Sequence, residues 1–300
     1  LEEAINIGIS NNLQLKTEKQ KVEAAKVLIR SANEVPSLNL VGEIGQLNSA
    51  YTDNRFGVSQ NISFPFVNAK KKEWFEKQAE MAQMNYKFSE NAIKKEITQA
   101  FYDLVVVSEK EKVMKQTDSI FAAFIQKANL RLKYGESNAL EKSSAELYMV
   151  KIKNQVKLIQ EEKFRVVVQL QYLLQVTDQI EPIYKSAKIE NLPSQDFVSN
   201  NVALQLLVLE KQANTSVLKV EKSALIPDVS VGYFSTTMQG TGADNNFYGK
   251  NDRFQSFQLS LGIPVFNSAN RARQKAIQMN ETILTDKTTM QQQELQKIWN

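Results

Sequence analysis

The sequence has no cysteine and no histidine among its 300 residues. A protein without these side chains has no thiolate nucleophile, no zinc site made of cysteine or histidine, and no histidine-based catalytic triad. The sequence also has no Walker loop, no Gly-x-Gly-x-x-Gly loop and no cluster of metal-ligand residues. We therefore expect a protein that is not an enzyme and that needs neither a metal nor a cofactor.

Glycine (10 residues) and proline (6 residues) are scarce, and long apolar runs are missing. The scarcity favours helix over loop. No stretch of about 18 apolar residues is present, so the sequence predicts no transmembrane helix. Transmembrane β-strands leave little hydropathy signal, so they remain compatible with a sequence that has no long apolar run. The net charge of +4 is spread along the predicted helices, so we expect no nucleic-acid partner.

The two ends of the sequence both read as the middle of a helix, at Leu1 and again from Gln291 to Asn300. No basic n-region or apolar h-region stands before the first helix, so no signal peptide is predicted here. We expect this chain to be a segment of a longer one.

Residues 68–133 are predicted to form one helix of roughly 100 Å, since they contain neither glycine nor proline. Two rows of apolar residues at seven-residue spacing give this helix a coiled-coil seam. The rows are Ile93, Ala100, Val107, Met114, Phe121 and Ala128, and Ile97, Leu104, Ile125 and Leu132.

Carboxylates interrupt the second row at Glu111 and Asp118. One interpretation is a locally hydrated, loosened stretch of the coiled coil. The other is that these carboxylates, together with Asp103 and Glu136, face a water-filled lumen and favour cations there.

The order of elements occurs twice, which indicates an internal repeat. The first repeat covers 1–180, with a β-hairpin at 37–65, the long helix at 68–133 and a return helix at 139–178. A connector follows at 181–196. The second repeat, 197–300, is truncated and holds a β-hairpin at 228–264 and the start of another long helix. The predicted fold class is mainly α with β-hairpins.

The predicted strands alternate between an apolar face and a small or polar face. Such strands fit a barrel with lipid outside and solvent inside, but also a small soluble sheet packed on the helices. Two hairpins give only four strands, too few to close a barrel around water, so a barrel requires several chains. The apolar positions are Leu38, Leu40, Ile44, Val58, Ile62, Phe64, Val229, Val231, Phe257, Leu259, Leu261 and Ile263.

The doubled helix–hairpin–helix unit resembles the TolC-type outer-membrane factors of tripartite efflux systems. The resemblance includes the strand ends at Pro65 and Pro264, each shortly before a long helix. It implies a homotrimer with a twelve-stranded β-barrel in the lipid of the outer membrane and a long coiled-coil α-barrel in the periplasm. It also implies a passive exit duct that works with a periplasmic adaptor protein and an inner-membrane pump of the resistance-nodulation-division (RND) class.

The helix–helix turn after the long helix is typical of the tip that meets the adaptor in this family. In many drug-efflux members the tip glycine is followed by leucine, whereas here Glu136 follows Gly135. The segment is more similar to members that serve heavy-metal RND pumps, which implies a cargo of metal cations. A bulky residue at Gly135 is expected to abolish resistance and leave trimers intact. The expected adaptor-contacting residues are Tyr134, Gly135, Glu136, Ser137, Asn138, Ala139 and Leu140.

A different function remains open at this point. A periplasmic coiled-coil adaptor or scaffold would bind partners through its helices and conduct nothing. The apolar faces of its hairpins would pack inward against the bundle, which the tertiary structure tests.

Overall fold

The computed structural model describes residues 1–184 and 201–299, with side chains to 297. The described residues fall into two compact units. One holds Leu1–Lys19 and the residues from Tyr86 to 184; the other holds Gln20–Asn85 and the residues from 201 onward. Both hairpins belong to the second unit, so the units do not coincide with the predicted repeats. The division into repeats stays a prediction, and most of the expected connector lies outside the described residues.

The described secondary structure of the first unit is helical. Helix α1 (Glu2–Asn11) is followed directly by α2 (Leu13–Leu28). The Asn12 side-chain oxygen caps α2 by accepting hydrogen bonds from the N–H groups of Gln14 and Leu15, at 2.9 and 3.2 Å. The sequence predicts that this second helix runs from about Leu13 to Asn33, which is wrong in the last turn: Ile29–Asn33, in the second unit, form a 3₁₀ turn.

Helix α3 is a single element of 69 residues, Pro65–Lys133. It begins three residues before the predicted start at Asn68. The expectation that Pro65 ends the preceding strand is therefore wrong: Pro65 occupies the first helical position, where its missing N–H costs nothing. The N–H groups of Val67 and Asn68 donate to the Phe64 carbonyl oxygen, which starts the helix.

Helix α4 (Ala139–Leu174) ends four residues before the predicted 178, at a left-handed cap on Gln175 (φ 53°). The part of α3 from Tyr86 onward packs with α1, the start of α2 and α4 around a buried apolar cluster. Seven of the cluster residues come from the predicted seam or its partner helix: Ile93, Ile97, Ala100, Leu104, Leu170, Leu173 and Leu174.

Gly8 lets α1 approach this cluster closely. A Cβ atom placed there would lie 2.3 Å from Ile97 Cδ1 and 3.3 Å from Leu174 Cδ2. The glycine thus brings two helices nearer than a larger residue would permit.

The second unit contains a helix pair and all the strands. Helices α5 (Val202–Ser223) and α6 (Ser268–Trp299) pack together. Their contact includes the buried Asn214, which donates to the Ile277 carbonyl oxygen and accepts from Asn280 Nδ2, both at 2.9 Å. A buried hydrogen-bonded asparagine of this kind fixes the register of a helix pair.

Four strands form one antiparallel sheet in the order β1 (Leu38–Gly45), β2 (Asp53–Ile62), β3 (Asp228–Thr237) and β6 (Arg253–Gly262). The pairing of β2 with β3 joins the two predicted hairpins into a continuous sheet. Two short strands, β4 (Gly240–Thr241) and β5 (Phe247–Tyr248), form a separate small hairpin between β3 and β6.

Strand β2 begins at Asp53, within residues 48–54, which the sequence predicts to be turn-like. The Asp53 side chain is fully buried and accepts hydrogen bonds from Thr237 Oγ1 at 3.1 Å and from the Gln239 N–H at 3.0 Å. These bonds hold the start of β2 against the end of β3 and extend the pairing between the two hairpins. Among the described residues, no helix is long and apolar enough to cross a membrane.

Candidate functional site

The sheet has one continuous apolar face. Its register aligns Leu40, Val58, Tyr233 and Phe257 in one row across all four strands. No described part of the chain covers this face: Leu40 is 78% exposed and Phe257 is 88% exposed. The inward-packed sheet expected for a soluble scaffold is therefore absent from the described structure.

Ten of the twelve predicted apolar positions lie within the strands on this face. The assignment of the other two to strands is wrong. Phe64 and Ile263 lie just beyond the ends of β2 at Ile62 and β6 at Gly262. Phe64 instead stacks on Phe66 in the first turn of α3, with ring centroids 5.5 Å apart. Pro264 likewise follows the end of β6 and precedes α6, which begins at Ser268.

Aromatic side chains stand near both ends of the apolar face. Phe66 and Phe266 lie where the strands meet the helices, and Phe266 is 98% exposed. Phe56 and Phe257 lie toward the other end, and the Phe257 ring contacts Tyr233 with centroids 5.3 Å apart. An apolar band bounded by aromatic rings on both sides is typical of strands whose outer face contacts lipid.

The opposite face of the sheet carries mostly small and polar side chains, together with the rings of Phe234 and Phe254. Phe234 is 4% exposed and covers Gly57 and Gly232. A Cβ atom at Gly57 would lie 2.2 Å from the Phe234 ring and 2.6 Å from the Tyr233 carbonyl oxygen. The Arg55 guanidinium lies 4.0 Å from the ring centroid on the same face. This stack ties β2 to β3 at the junction of the two hairpins.

The small β4–β5 hairpin packs on the polar face. The Tyr248 ring contacts Phe254 with centroids 5.2 Å apart, and Phe254 shares its face of β6 with the polar Ser256. Asp244 holds the hairpin by accepting hydrogen bonds from the Tyr248 hydroxyl at 2.7 Å and the Asn246 N–H at 3.1 Å. The sequence predicts a long polar loop at 239–253, between the two strands of the second hairpin. The structure forms the β4–β5 hairpin within it, on the non-apolar side of the sheet.

The outer edges of the sheet have no pairing partner within the described residues. β1 pairs only with β2, and β6 pairs only with β3. Long exposed edges present unpaired N–H and C=O groups, which proteins pair, cover or protect. If these two edge strands paired with those of another copy of the chain, neither edge would remain exposed.

The helix tip is built by two caps. Gly135 adopts φ +78°, its N–H donates to the Leu132 carbonyl oxygen at 3.2 Å, and the Glu136 N–H donates to the Arg131 carbonyl oxygen at 2.9 Å. This is a Schellman motif, which ends α3. Asn138 starts α4 by accepting from the Glu141 N–H at 2.9 Å.

The Glu141 carboxylate connects the two helices at the tip. It accepts a hydrogen bond from the Ser137 hydroxyl at 2.5 Å and forms an ion pair with Arg131 at 3.0 Å. Most of the seven predicted contact residues, Tyr134 and Leu140 among them, are exposed, and Ser137 is half-buried. The tip therefore offers a firmly shaped surface with two free apolar side chains, although its contact with an adaptor stays a prediction.

Replacing Gly135 by alanine is expected to weaken the tip turn by about 1 kcal/mol, because an L-residue is strained at this positive φ. A Cβ atom there meets nothing within 4 Å, so no steric clash contributes. Hydrogen exchange should report the change as roughly fivefold faster exchange of the Glu136 amide. Gly135→Asn is the control, since asparagine tolerates this conformation. Equal effects of the two substitutions would contradict the backbone explanation.

Glu111 lies in the seam and is 8% exposed. Its carboxylate pairs with Lys115 one turn away and with Lys163 of α4, whose Nζ atom lies 2.9 Å from Oε2. These hydrogen bonds from Lys115 and Lys163 lower the pKa of Glu111 to about 2, against the opposing effect of burial. The contacts favour the interpretation of a polar interruption in the coiled coil, and a lumen role for Glu111 remains a prediction.

Acid is expected to destabilise the α3–α4 pair through Glu111. Its folded-state pKa of about 2 lies below the ordinary 4.5, so the ion pairs stabilise the fold above about pH 4.5 and are lost as the pH falls toward 2. The loss amounts to roughly 2 kcal/mol. Thermal unfolding at pH 7 and pH 3 measures it.

Glu111→Gln should remove that part of the pH dependence, whereas Glu96→Gln, on the exposed side of the same helix, should keep it. If Glu111→Gln retains the full pH dependence, the ion pairs with Lys115 and Lys163 are not its source.

The other three predicted lumen carboxylates differ from Glu111. Asp103 on α3 and Glu136 at the tip are exposed. Asp118 is half-buried, and its Oδ1 atom has no hydrogen-bond partner among the described residues. The described part of the chain holds no group of three or more potential metal ligands, so these carboxylates form no such group.

Sequence comparison finds no relatives: no protein-family model matches the chain, and a search of the curated proteins found no match. Solved structures do match. The outer membrane channel CmeC of Campylobacter jejuni superimposes with a TM-score of 0.74 at 12% identity, over 99% of this chain and 67% of that chain. The outer membrane channel MtrE of Neisseria gonorrhoeae, in its open state, gives 0.72 at 12% identity, over 97% and 69%.

This chain has the fold of those channels. The structure of CusC, solved in a study of folding and transmembrane channel formation, also superimposes on this chain. Its TM-score is 0.76 at 14% identity, over 98% of this chain and 72% of that chain. This structural similarity confirms the predicted fold class of long helices with β-hairpins, which is the fold that these channels have. The chain spans about seven-tenths of each of these channels.

Sequence reasoning missed three features of the sheet. Phe234 was not recognised as a packing residue, although Gly57 and Gly232, which make room for it, stand in the printed sequence at strand positions. The ordered β4–β5 hairpin was taken as loop. The sequence also gave no indication that Arg253 connects three strands, because its hydrogen-bond partners Asn54 and Ser235 are distant in the sequence.

Proposed function

We propose that this protein is an outer-membrane channel, the passive exit duct of a tripartite efflux system. One observation supports this above all: the sheet exposes a continuous apolar face and keeps a small, polar face on its other side. In a closed barrel the first face would contact lipid and the second would line an aqueous pore. The fold shared with solved outer membrane channels supports the same function.

The proposed assembly is a homotrimer. Four strands are too few to enclose a pore, whereas three copies supply twelve. Pairing β6 of one copy with β1 of the next would satisfy every edge strand, as the interior of a bilayer requires. Localisation follows from this assembly, with the barrel in the outer membrane and the helices in the periplasm.

The proposed partners are a periplasmic adaptor and an inner-membrane RND pump, with metal cations as the cargo. The support is the tip segment from Tyr134 to Leu140, whose sequence is similar to that of heavy-metal systems and whose exposed surface is available for contact. The protein conducts what the pump delivers, and the pump supplies the energy.

Planar-bilayer conductance of the full-length protein, with its oligomeric mass measured on the same sample, tests the proposal. A trimer that gives discrete conductance steps is the expected result, and preference for cations over anions would support the metal cargo. A folded monomer or dimer that stays in water and gives no steps would contradict the channel and favour an adaptor or scaffold.

A further inference from the structure

Arg253 stands where the apolar face of the sheet ends. It shares that face with Phe257, Leu259 and Leu261, which follow it along β6. The row beside it is mixed, since Phe56 and Gln255 lie on either side of Ser235, and Gln255 accepts a hydrogen bond from the Tyr233 hydroxyl at 2.6 Å. Arg253 and Gln255 together mark the change from apolar to polar side chains along β6.

The position of Arg253 along β6 matches the edge of the apolar band that a barrel places in a membrane. Arg253 and Leu261 are eight residues apart, roughly 27 Å along a strand. A barrel strand tilted by about 40° would cover about 20 Å of bilayer over this length, close to an apolar band of about 25 Å. Arg253 then lies at the level of the lipid headgroups, at the end of the sheet away from Phe266.

The guanidinium group is held in a fixed orientation. Nε donates to Ser235 Oγ, Nη1 to Asn54 Oδ1 and Nη2 to the Ser235 carbonyl oxygen, each at 2.7 Å. Its Cζ atom lies 5.6 Å from the centroid of the Phe56 ring. Arginine has five N–H groups, so two remain for another acceptor.

The charge of Arg253 is not neutralised within the described chain. No carboxylate of the described residues lies within ion-pair distance of it, and all its acceptors are neutral. Arg55 provides a contrast on the polar face, where it pairs with Glu43 at 3.5 Å. Of the two arginines, Arg253 lacks an anionic partner within the described residues, although it donates three hydrogen bonds and Arg55 donates two.

We propose that Arg253 binds the phosphate group of a membrane lipid whose acyl chains lie on the apolar face. A phosphate oxygen pair matches the fork of a guanidinium group, and the immobilised side chain loses little further freedom on binding. A lipid would pair its phosphate with the guanidinium cation and cover the exposed apolar rows with its acyl chains, whereas a free phosphate ion would only pair with the cation. This inference rests on the proposed function, because it places the apolar face in a bilayer.

Lipid retention measured by native mass spectrometry tests the site. The full-length protein in mild detergent is titrated with phosphatidic acid and, separately, with diacylglycerol of the same acyl chains, which lacks the phosphate. Wild type should retain phosphatidic acid preferentially. Arg253→Gln should weaken that binding roughly fivefold to tenfold, and Arg253→Lys should recover part of it.

Arg55→Gln is the matched control, since it removes the same charge from the same sheet on the other face. Unchanged phosphatidic acid binding in Arg253→Gln would overturn the proposal, and so would an equal loss in Arg55→Gln. Displacement of the lipid by millimolar inorganic phosphate would identify a free-anion site instead. Failure of the wild-type protein to bind either lipid or to float with vesicles would refute the membrane-facing sheet itself, a result distinct from any difference among the variants.

Discussion

Replacing Leu259 by arginine is expected to prevent stable insertion of the protein into a bilayer. Leu259 lies in the middle of the apolar face, between Phe257 and Leu261, and is 76% exposed in the chain. A positive charge on the lipid-facing side of a strand costs about 2 to 4 kcal/mol near the bilayer midplane. The proposed trimer would carry that cost three times.

Ser256→Arg is the matched control, because Ser256 lies on the same strand but on the polar face. The two variants add the same residue three positions apart, so they differ in face rather than in charge. Flotation with lipid vesicles measures insertion, and circular dichroism verifies that both variants fold. Equal insertion of the two variants would contradict the assignment of lipid and pore faces.

Replacing Leu104 by alanine should lower the free energy of unfolding by about 3 kcal/mol. Leu104 is fully buried in the cluster formed by α1, the start of α2, α3 and α4. The substitution leaves a cavity in a seam where helices from distant parts of the sequence meet. The lost transfer free energy and the cavity both contribute to the cost.

Val106→Ala on the same helix provides the comparison. Val106 is 51% exposed, so its truncation should change stability by less than about 0.5 kcal/mol. Denaturant titration of this 300-residue chain, followed through the helical signal, measures both variants. A cost at Val106 as large as that at Leu104 would place the core on the wrong side of α3.

The long helix illustrates what a local pattern can predict. Its length followed from the absence of glycine and proline, and its buried side followed from the heptad rows, since Ile93, Ile97, Ala100 and Leu104 all lie in the core. Its start was placed three residues late, because proline was treated as a strand terminator rather than as a favourable first helical residue.

The strands show both what a local sequence pattern can predict and what it cannot. Alternation by twos predicted which side chains share a face, and the register places Leu40, Val58 and Phe257 in one row. Alternation within one strand says nothing about which strand lies beside it. The pairing of β2 with β3, and with it the stack of Phe234 on Gly57, became visible only in the folded sheet.

The candidate sites divide in a similar way. The sequence predicts the caps of the tip from residue types near the turn, with Gly135 at the end of one helix and Ser137 or Asn138 at the start of the next, because helix caps depend on neighbouring residues. The structure assigns the second cap to Asn138. The ion pair of Glu111 with Lys163 was not predicted, since the two residues are 52 positions apart and meet only through the register of two helices.

The sequence by itself determined the type and approximate extent of the long helices and the four main strands, the apolar side of each, and the absence of cysteine and histidine chemistry. These properties depend on backbone propensity and on periods of two, three and a half or seven residues, all of which are local. The tertiary structure alone decided that the described residues leave one apolar sheet face uncovered and that Arg253, at its edge, has no anionic partner among them. Those properties depend on contacts between distant residues, since Asn54 and Arg253 are 199 positions apart.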